Sequence, residues 1–170
     1  MKTIENSISL KQFENQANPL AHYETTGPEI YKALDGNIDY FVAGAGSGGT
    51  YTGIMKYLKE QNENIKGILA DPQGSTMGGG IEGCYNIEGI GNNFVPQTMN
   101  MNLVDEVIKI SDEEAFDMVK MLALKEGLIV GSSSGAAMAA ALKHAEKIER
   151  GNIITVLPDR GDRYFSKNIY

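Results

Sequence analysis

Two stretches hold residue types that could do chemistry. In "GAGSGGT", residues 44–50, four glycines are interleaved with Ala45 and Ser47 and close on Thr50. In "GSSSGA", residues 131–136, three serines stand between two glycines. Glycine reaches positive φ and lets backbone N–H groups approach an anion with no Cβ in the way. Serine and threonine add hydroxyl donors. The first stretch follows an apolar, β-prone run (Ile38, Tyr40, Phe41, Val42) and precedes a helical pattern with Ile54, Met55 and Leu58 on one side. A strand, a glycine turn and a helix start make an anion site, because the first helical N–H groups lack partners and the dipole favours negative charge there. One serine suffices as a helix cap, so three with flanking glycines point to a ligand contact.

The residue pattern leaves the anion's identity open. Gly44-Ala-Gly46-Ser-Gly48-Gly49 matches G-x-G-x-x-G, and the next expected strand, "IKGILAD", ends at Asp71, about 20 residues on, where a ribose-binding acid would sit. A dinucleotide is therefore a real candidate. A triphosphate is a weaker one, since no Lys-Ser or Lys-Thr closes the loop.

The elements that must position these loops alternate. A short helix is expected over 28–36, between Pro28 and Gly36. Strands are expected at 38–43, 65–70, 106–110, 128–130 and 152–158. Helices are expected at about 49–62, from a capping box Ser111-Asp-Glu-Glu114 to a stop at Gly127, and over 131–149. Residues 1–27 show no strong period, and 71–104 read as a long glycine-rich loop. Alternation of this kind gives an α/β fold, a mostly parallel sheet flanked by helices. Ligands bind such sheets beyond the carboxyl ends of the strands. Gly44–Thr50, Ser132–Gly135 and Pro158–Asp159 all fall there.

With 170 residues, the chain can bury one sizeable core. Its net charge of −7 argues against nonspecific nucleic-acid binding and against anionic membranes. The single cysteine, Cys84, excludes an intramolecular disulfide and points to a reducing compartment. His22 and His144 are far apart in sequence, so no metal site is expected. His22, Cys84 and Tyr164 read as structural residues. The opening "MKTIENSISLKQ" is too polar for a signal peptide, and no apolar run approaches the roughly 18 residues of a membrane span. The cytoplasm is the expected location.

From Gln12 onward the chain resembles the C-terminal half of the cystathionine β-synthase and cysteine synthase family. The resemblance rests on "QFENQANPLAHYETTGPEI" (12–30), "GAGSGGTYTG" (44–53), "ADPQGS" (70–75), "YNIEGIGNNFVP" (85–96), "DEEAF" (112–116), "EGLIVGSSSGAA" (126–137) and "LPDRGDRY" (157–164), in the family's order and spacing. It demotes the dinucleotide reading and implies the large-domain half of a tryptophan-synthase-β-like fold. The implied cofactor is pyridoxal 5′-phosphate. Gly46, Ser47, Gly48, Gly49 and Thr50 would hold its phosphate, and Ser133 would face the pyridine nitrogen as a neutral hydroxyl that leaves the ring largely unprotonated. Gln12 would lie near the substrate carboxylate, with Gly89, Ile90 and Gly91 on a mobile loop over the cleft. The implied reaction is β-replacement on serine or O-acetylserine by a thiol or sulfide. The family's Schiff-base lysine lies in the N-terminal half, so no catalytic residue is assigned and the chain alone is expected to be inactive. Residues 1–11 read as an unmatched segment before a single domain, 12–170. The alternatives are a non-catalytic remnant or half of a split enzyme. The partners implied are the amino acid and thiol, a homo-oligomer, and the missing N-terminal half.

Overall fold

Alternating side chains decide how the layers stack. The computed structural model describes residues 4–167 and 169–170. In β1 (Tyr40–Gly44), Phe41 and Ala43 point to one face of the sheet and Val42 to the other. In β2 (Lys66–Pro72), Leu69 joins the first face, and Ile68 and Ala70 the second. With β3 (Glu106–Ile110) and β4 (Ile153–Thr155) they form a parallel sheet in the order β3-β2-β1-β4. Both faces are apolar because both are covered.

The first face packs on α3 (Gly49–Gln61) through Tyr51, Ile54, Met55 and Leu58, all fully buried. The second packs on α5 (Ser132–Ala145), whose Ala136, Ala139, Ala140 and Ala141 let the helix approach closely, and on Ala115 of α4 (Asp112–Glu126). The expected capping box is present in full: Ser111 caps the Glu114 N–H while the Glu114 carboxylate accepts from the Ser111 N–H. Gly127 ends α4 at φ 68°.

Two expectations need correcting. Residues 17–33 are a continuous helical run, with α1 (Ala17–Ala21), a π-helical segment (His22–Thr26) and α2 (Gly27–Ala33). Its first part, 17–26, shows no strong apolar period and lies on α3 by close backbone approach, since a Cβ at Gly53 would collide with the Pro19 carbonyl; farther on, Ile30 and Tyr31 pack on the core. Residues 128–130 form no strand of the sheet; only Val130 makes a bridge, antiparallel to Arg160, which lies outside it. Residues 73–100 contain no helix or strand, as the sequence suggested. No described helix is long and apolar enough to cross a membrane.

Candidate functional site

The chain leaves β1 toward β2 through α3 on one face, and reaches β4 from β3 through helices on the other face. The crevice between β1 and β4 is thus the topological switch point, the place where α/β sheets bind ligands. A cavity of about 240 Å³ lies there, walled by the turn after β1 (Gly44–Gly48, with Thr50 and Tyr51), by Gly89 and Ile90, by Ser133 and Ala137, and by Val156, Pro158 and Asp159 after β4.

The glycine turn is held by its carbonyls. The Gly91 N–H donates to the Ala45 carbonyl (2.9 Å), Asn92 Nδ2 to the Gly46 carbonyl (2.5 Å) and Thr98 Oγ1 to the Ser47 carbonyl (2.6 Å). In a planar trans peptide the next residue's N–H points opposite to the C=O. Three consecutive carbonyls fixed on the loop 91–98 therefore turn the N–H groups of Gly46, Ser47 and Gly48 away from that loop. None of these N–H groups, nor those of Gly49 and Thr50 in the first turn of α3, donates a hydrogen bond among the described residues. Successive free N–H groups at a helix start form a nest for an anion.

Two hydroxyls extend the nest. Ser47 Oγ accepts from Asn18 Nδ2 (2.9 Å), which leaves its own proton for a ligand. Thr50 Oγ1 lies 3.0 Å from His22 Nε2, and His22 Nδ1 lies 3.0 Å from Thr26 Oγ1. Burial lowers the His22 pKa and keeps the ring neutral, with one N–H. In the tautomer with the proton on Nε2, His22 donates to Thr50 and the Thr50 hydroxyl is free to donate into the cavity. His22 thus supports the cradle from behind, a role its lone place in the sequence could not show.

Gly48 adopts the positive φ expected of a glycine here, but the space its missing Cβ leaves is taken by protein. At Gly48, φ is 82°, and a Cβ there would lie 2.5 Å from the Met99 Cβ rather than in the anion's place. At Gly46 a Cβ would strike the Gly89 carbonyl. Gly49 is buried against the Asn18 amide and does not line the cavity, though its N–H is free. The turn is pressed on both sides by neighbouring backbone.

The opposite wall is an acceptor. An ionised carboxylate only accepts, so Ser133 Oγ (3.2 Å), Ser134 Oγ (3.1 Å) and the Tyr164 hydroxyl all donate to Asp159. Burial, the hydrogen bond to Asp159 and that carboxylate's charge push the Tyr164 pKa up to about 12, so the phenol stays a donor. The Ser133 hydroxyl, the neutral group expected to face the cofactor ring, lines the cavity and has a carboxylate partner. Its proton goes to the carboxylate, which leaves its oxygen as an acceptor at the cavity wall. Asp159 is also the one carboxylate among the lining residues.

Gly89 and Ile90 line the cavity and Gly91 instead braces the turn from outside. Gln12 is exposed and does not line it; its carbonyl accepts from Asn18 Nδ2 (2.8 Å). Among the described residues, none that lines the cavity is a lysine. Asp71, the dinucleotide rival's acid, is fully buried and away from the cavity. Its Oδ2 accepts from Lys109 Nζ (2.5 Å) and the Gly78 N–H (3.0 Å). That removes the ribose contact. Sequence reasoning missed Asp159 as a partner of Ser133, and Asn92 and Thr98 as braces; only their places after β4 and in the long loop could have flagged them.

Residues 1–159 match the family described as pyridoxal-phosphate dependent enzyme. The chain belongs to this family. The matched span begins at residue 1 and takes in the segment 1–11. Among curated relatives, the chain is 52% identical to an O-acetylserine dependent cystathionine beta-synthase of Bacillus subtilis over 168 residues, 98% of this chain and 55% of that protein. It is 49% identical to a cysteine synthase of Helicobacter pylori, covering 99% of this chain and 56% of the relative. A crystal structure of an O-acetylserine dependent cystathionine beta-synthase from Helicobacter pylori superposes with a TM-score of 0.94 at 48% identity, over 99% of this chain and 56% of that one. The chain thus spans little more than half the length of the relatives it matches. The family's cofactor carries a phosphate, and five free N–H groups with two hydroxyls at a switch-point cavity are a donor set that fits one.

Proposed function

We propose that the chain is the phosphate-binding part of a pyridoxal-phosphate dependent β-replacement enzyme, one that exchanges the β-substituent of O-acetylserine or serine for a thiol or sulfide. The observation that carries this reading is the row of free N–H groups at Gly46–Thr50 in a member of this family. Those N–H groups and the hydroxyls of Ser47 and Thr50 bind the cofactor's phosphate. Ser133, held by Asp159, orients the ring from the opposite wall. Gly89 and Ile90 close over the cleft. When bound, the cofactor supplies an electron sink that labilises the bonds at the amino acid's Cα. The names of the relatives favour O-acetylserine over serine as the leaving-group donor. Among the described residues no lysine lines the cavity, and on this reading the chain binds without catalysing; a general base alone contributes about 10²–10⁴-fold, and here it comes from outside the described walls.

The test has two arms. Calorimetry with inorganic phosphate, then with pyridoxal 5′-phosphate, should show saturable binding of both to the 170-residue chain. Co-expression with the part of the Bacillus relative that precedes the matched region should yield thiol-for-acetate exchange on O-acetylserine that neither piece gives alone. Saturable NAD binding, or exchange by the chain alone well above the free-cofactor background, would overturn the reading.

A further inference from the structure

We infer that Asn92 and Thr98 are positioning residues of the anion cradle, setting the direction of its N–H groups without touching the ligand. The inference rests on the proposed phosphate site. Neither residue lines the cavity. Each holds one carbonyl of the glycine turn, Asn92 that of Gly46 and Thr98 that of Ser47, and so sets the N–H of Ser47 and of Gly48. A glycine-rich turn has little preference of its own for one peptide orientation. Without those donors either peptide plane can rotate, and an N–H that swings away is lost to the anion.

The braces are themselves anchored. The Asn92 N–H donates to Ser75 Oγ (3.0 Å), and the Asn92 carbonyl accepts from Ser75 Oγ (3.0 Å) and from the N–H groups of Thr76 (3.0 Å) and Met77 (3.1 Å). Lys109 Nζ then bridges the Ser75 carbonyl (2.7 Å) and Asp71. The pair of buried Asp71 and partly exposed Lys109, near the ends of β2 and β3, is the fixed end of a chain of contacts running through Ser75 and Asn92 to Gly46. Thr98, fully buried, braces from the other end of the same loop. The long glycine-rich stretch is therefore the outer frame of the cradle as well as a cover for the cleft.

The experiment titrates inorganic phosphate into the 170-residue chain and follows the amide signals of Gly46, Ser47 and Gly48 by NMR, with a thermal melt of each sample. Thr98→Val keeps the volume and removes the hydroxyl; Asn92→Leu removes the amide donor. Each should weaken phosphate by about tenfold, or ~1.4 kcal/mol, with the Ser47 signal most altered in Asn92→Leu and the Gly48 signal in Thr98→Val. Asn93→Ala, which loses only an exposed contact with Glu82, should bind as wild type. Folded Asn92→Leu and Thr98→Val proteins that bind phosphate within about twofold of wild type would overturn the inference. Should one variant not fold, the other decides, since each acts on a different peptide. Wild-type protein that ignores phosphate would instead overturn the proposed site, and this inference with it.

Discussion

Replacing Gly48 with alanine separates two costs that the turn imposes. The residue sits at φ 82°, where an L side chain costs about 1–2 kcal/mol. The new Cβ would also meet Met99 at its Cβ (2.5 Å), Sδ (2.8 Å) and Cα (2.9 Å). Sδ can swing aside, but Cβ and Cα move only with the backbone, so overpacking adds about 1–3 kcal/mol. Gly48→Ala should therefore lose about 2–5 kcal/mol in all, a large share of the ~5–15 kcal/mol a domain possesses. Gly127 provides the control. Its φ of 68° is similar, yet nothing lies within 4 Å of where its Cβ would be, so Gly127→Ala should lose only the conformational part, about 1–2 kcal/mol. Urea unfolding followed by far-UV circular dichroism measures both, the chain having no tryptophan. Phosphate affinity should collapse in Gly48→Ala and be unchanged in Gly127→Ala. Equal losses in the two variants, within about 0.5 kcal/mol, would show that Met99 gives way freely; unchanged phosphate binding in folded Gly48→Ala would refute the link between turn conformation and the anion site.

Acidification should destabilise the chain in two steps. Burial lowers the His22 pKa below 6.5, so its contribution is full above pH 6.5 and lost as pH falls through the lower folded value. Burial tends to raise the carboxyls of Asp105, Glu106 and Glu114, yet their lysine and hydrogen-bond partners outweigh it and hold all three below their ordinary values of 3.8 and 4.5, so their contributions fade only in more acid solution. Melts across pH in His22→Gln should lose the first step and keep the second; an unaltered first step would show that His22 is not its source. Asp159→Asn should lower stability by about 1–3 kcal/mol, because three hydroxyl donors must then share one amide oxygen, and should bring the Tyr164 pKa part of the way back from about 12 toward 10. A Tyr164 titration unmoved by the change would refute the carboxylate's hold on the phenol.

Where the fold was legible, the sequence carried its own local marker. Ser111 with Glu114, and Gly127 after Glu126, bound α4 at both ends, and the apolar run before Gly44 located β1 to within two residues. Residues 17–26 hid their helicity because they are held to α3 by close approach at Gly53 rather than by an apolar stripe. The glycine turn announced an anion by composition alone. What aims it did not show, because Asn92 and Thr98 lie 46 and 51 positions from the carbonyls they hold. Polar side chains in an irregular loop have no period to read. The same holds for Ser133, whose partner Asp159 is 26 residues away.

The two walls of the cavity differ in sign. One end offers N–H groups at the start of α3, the positive pole of a helix; the other offers the Asp159 carboxylate and the lone pairs of the serine it holds. Such a slot reads polarity along its length before it reads shape. A molecule with an anion at one end and a proton donor at the other enters one way round. A molecule of equal length with anions at both ends must set one of them against Asp159, and is turned away by charge alone. On the proposed reading, such a slot would sort molecules by orientation, so that a bound molecule faces one fixed direction from the moment of capture.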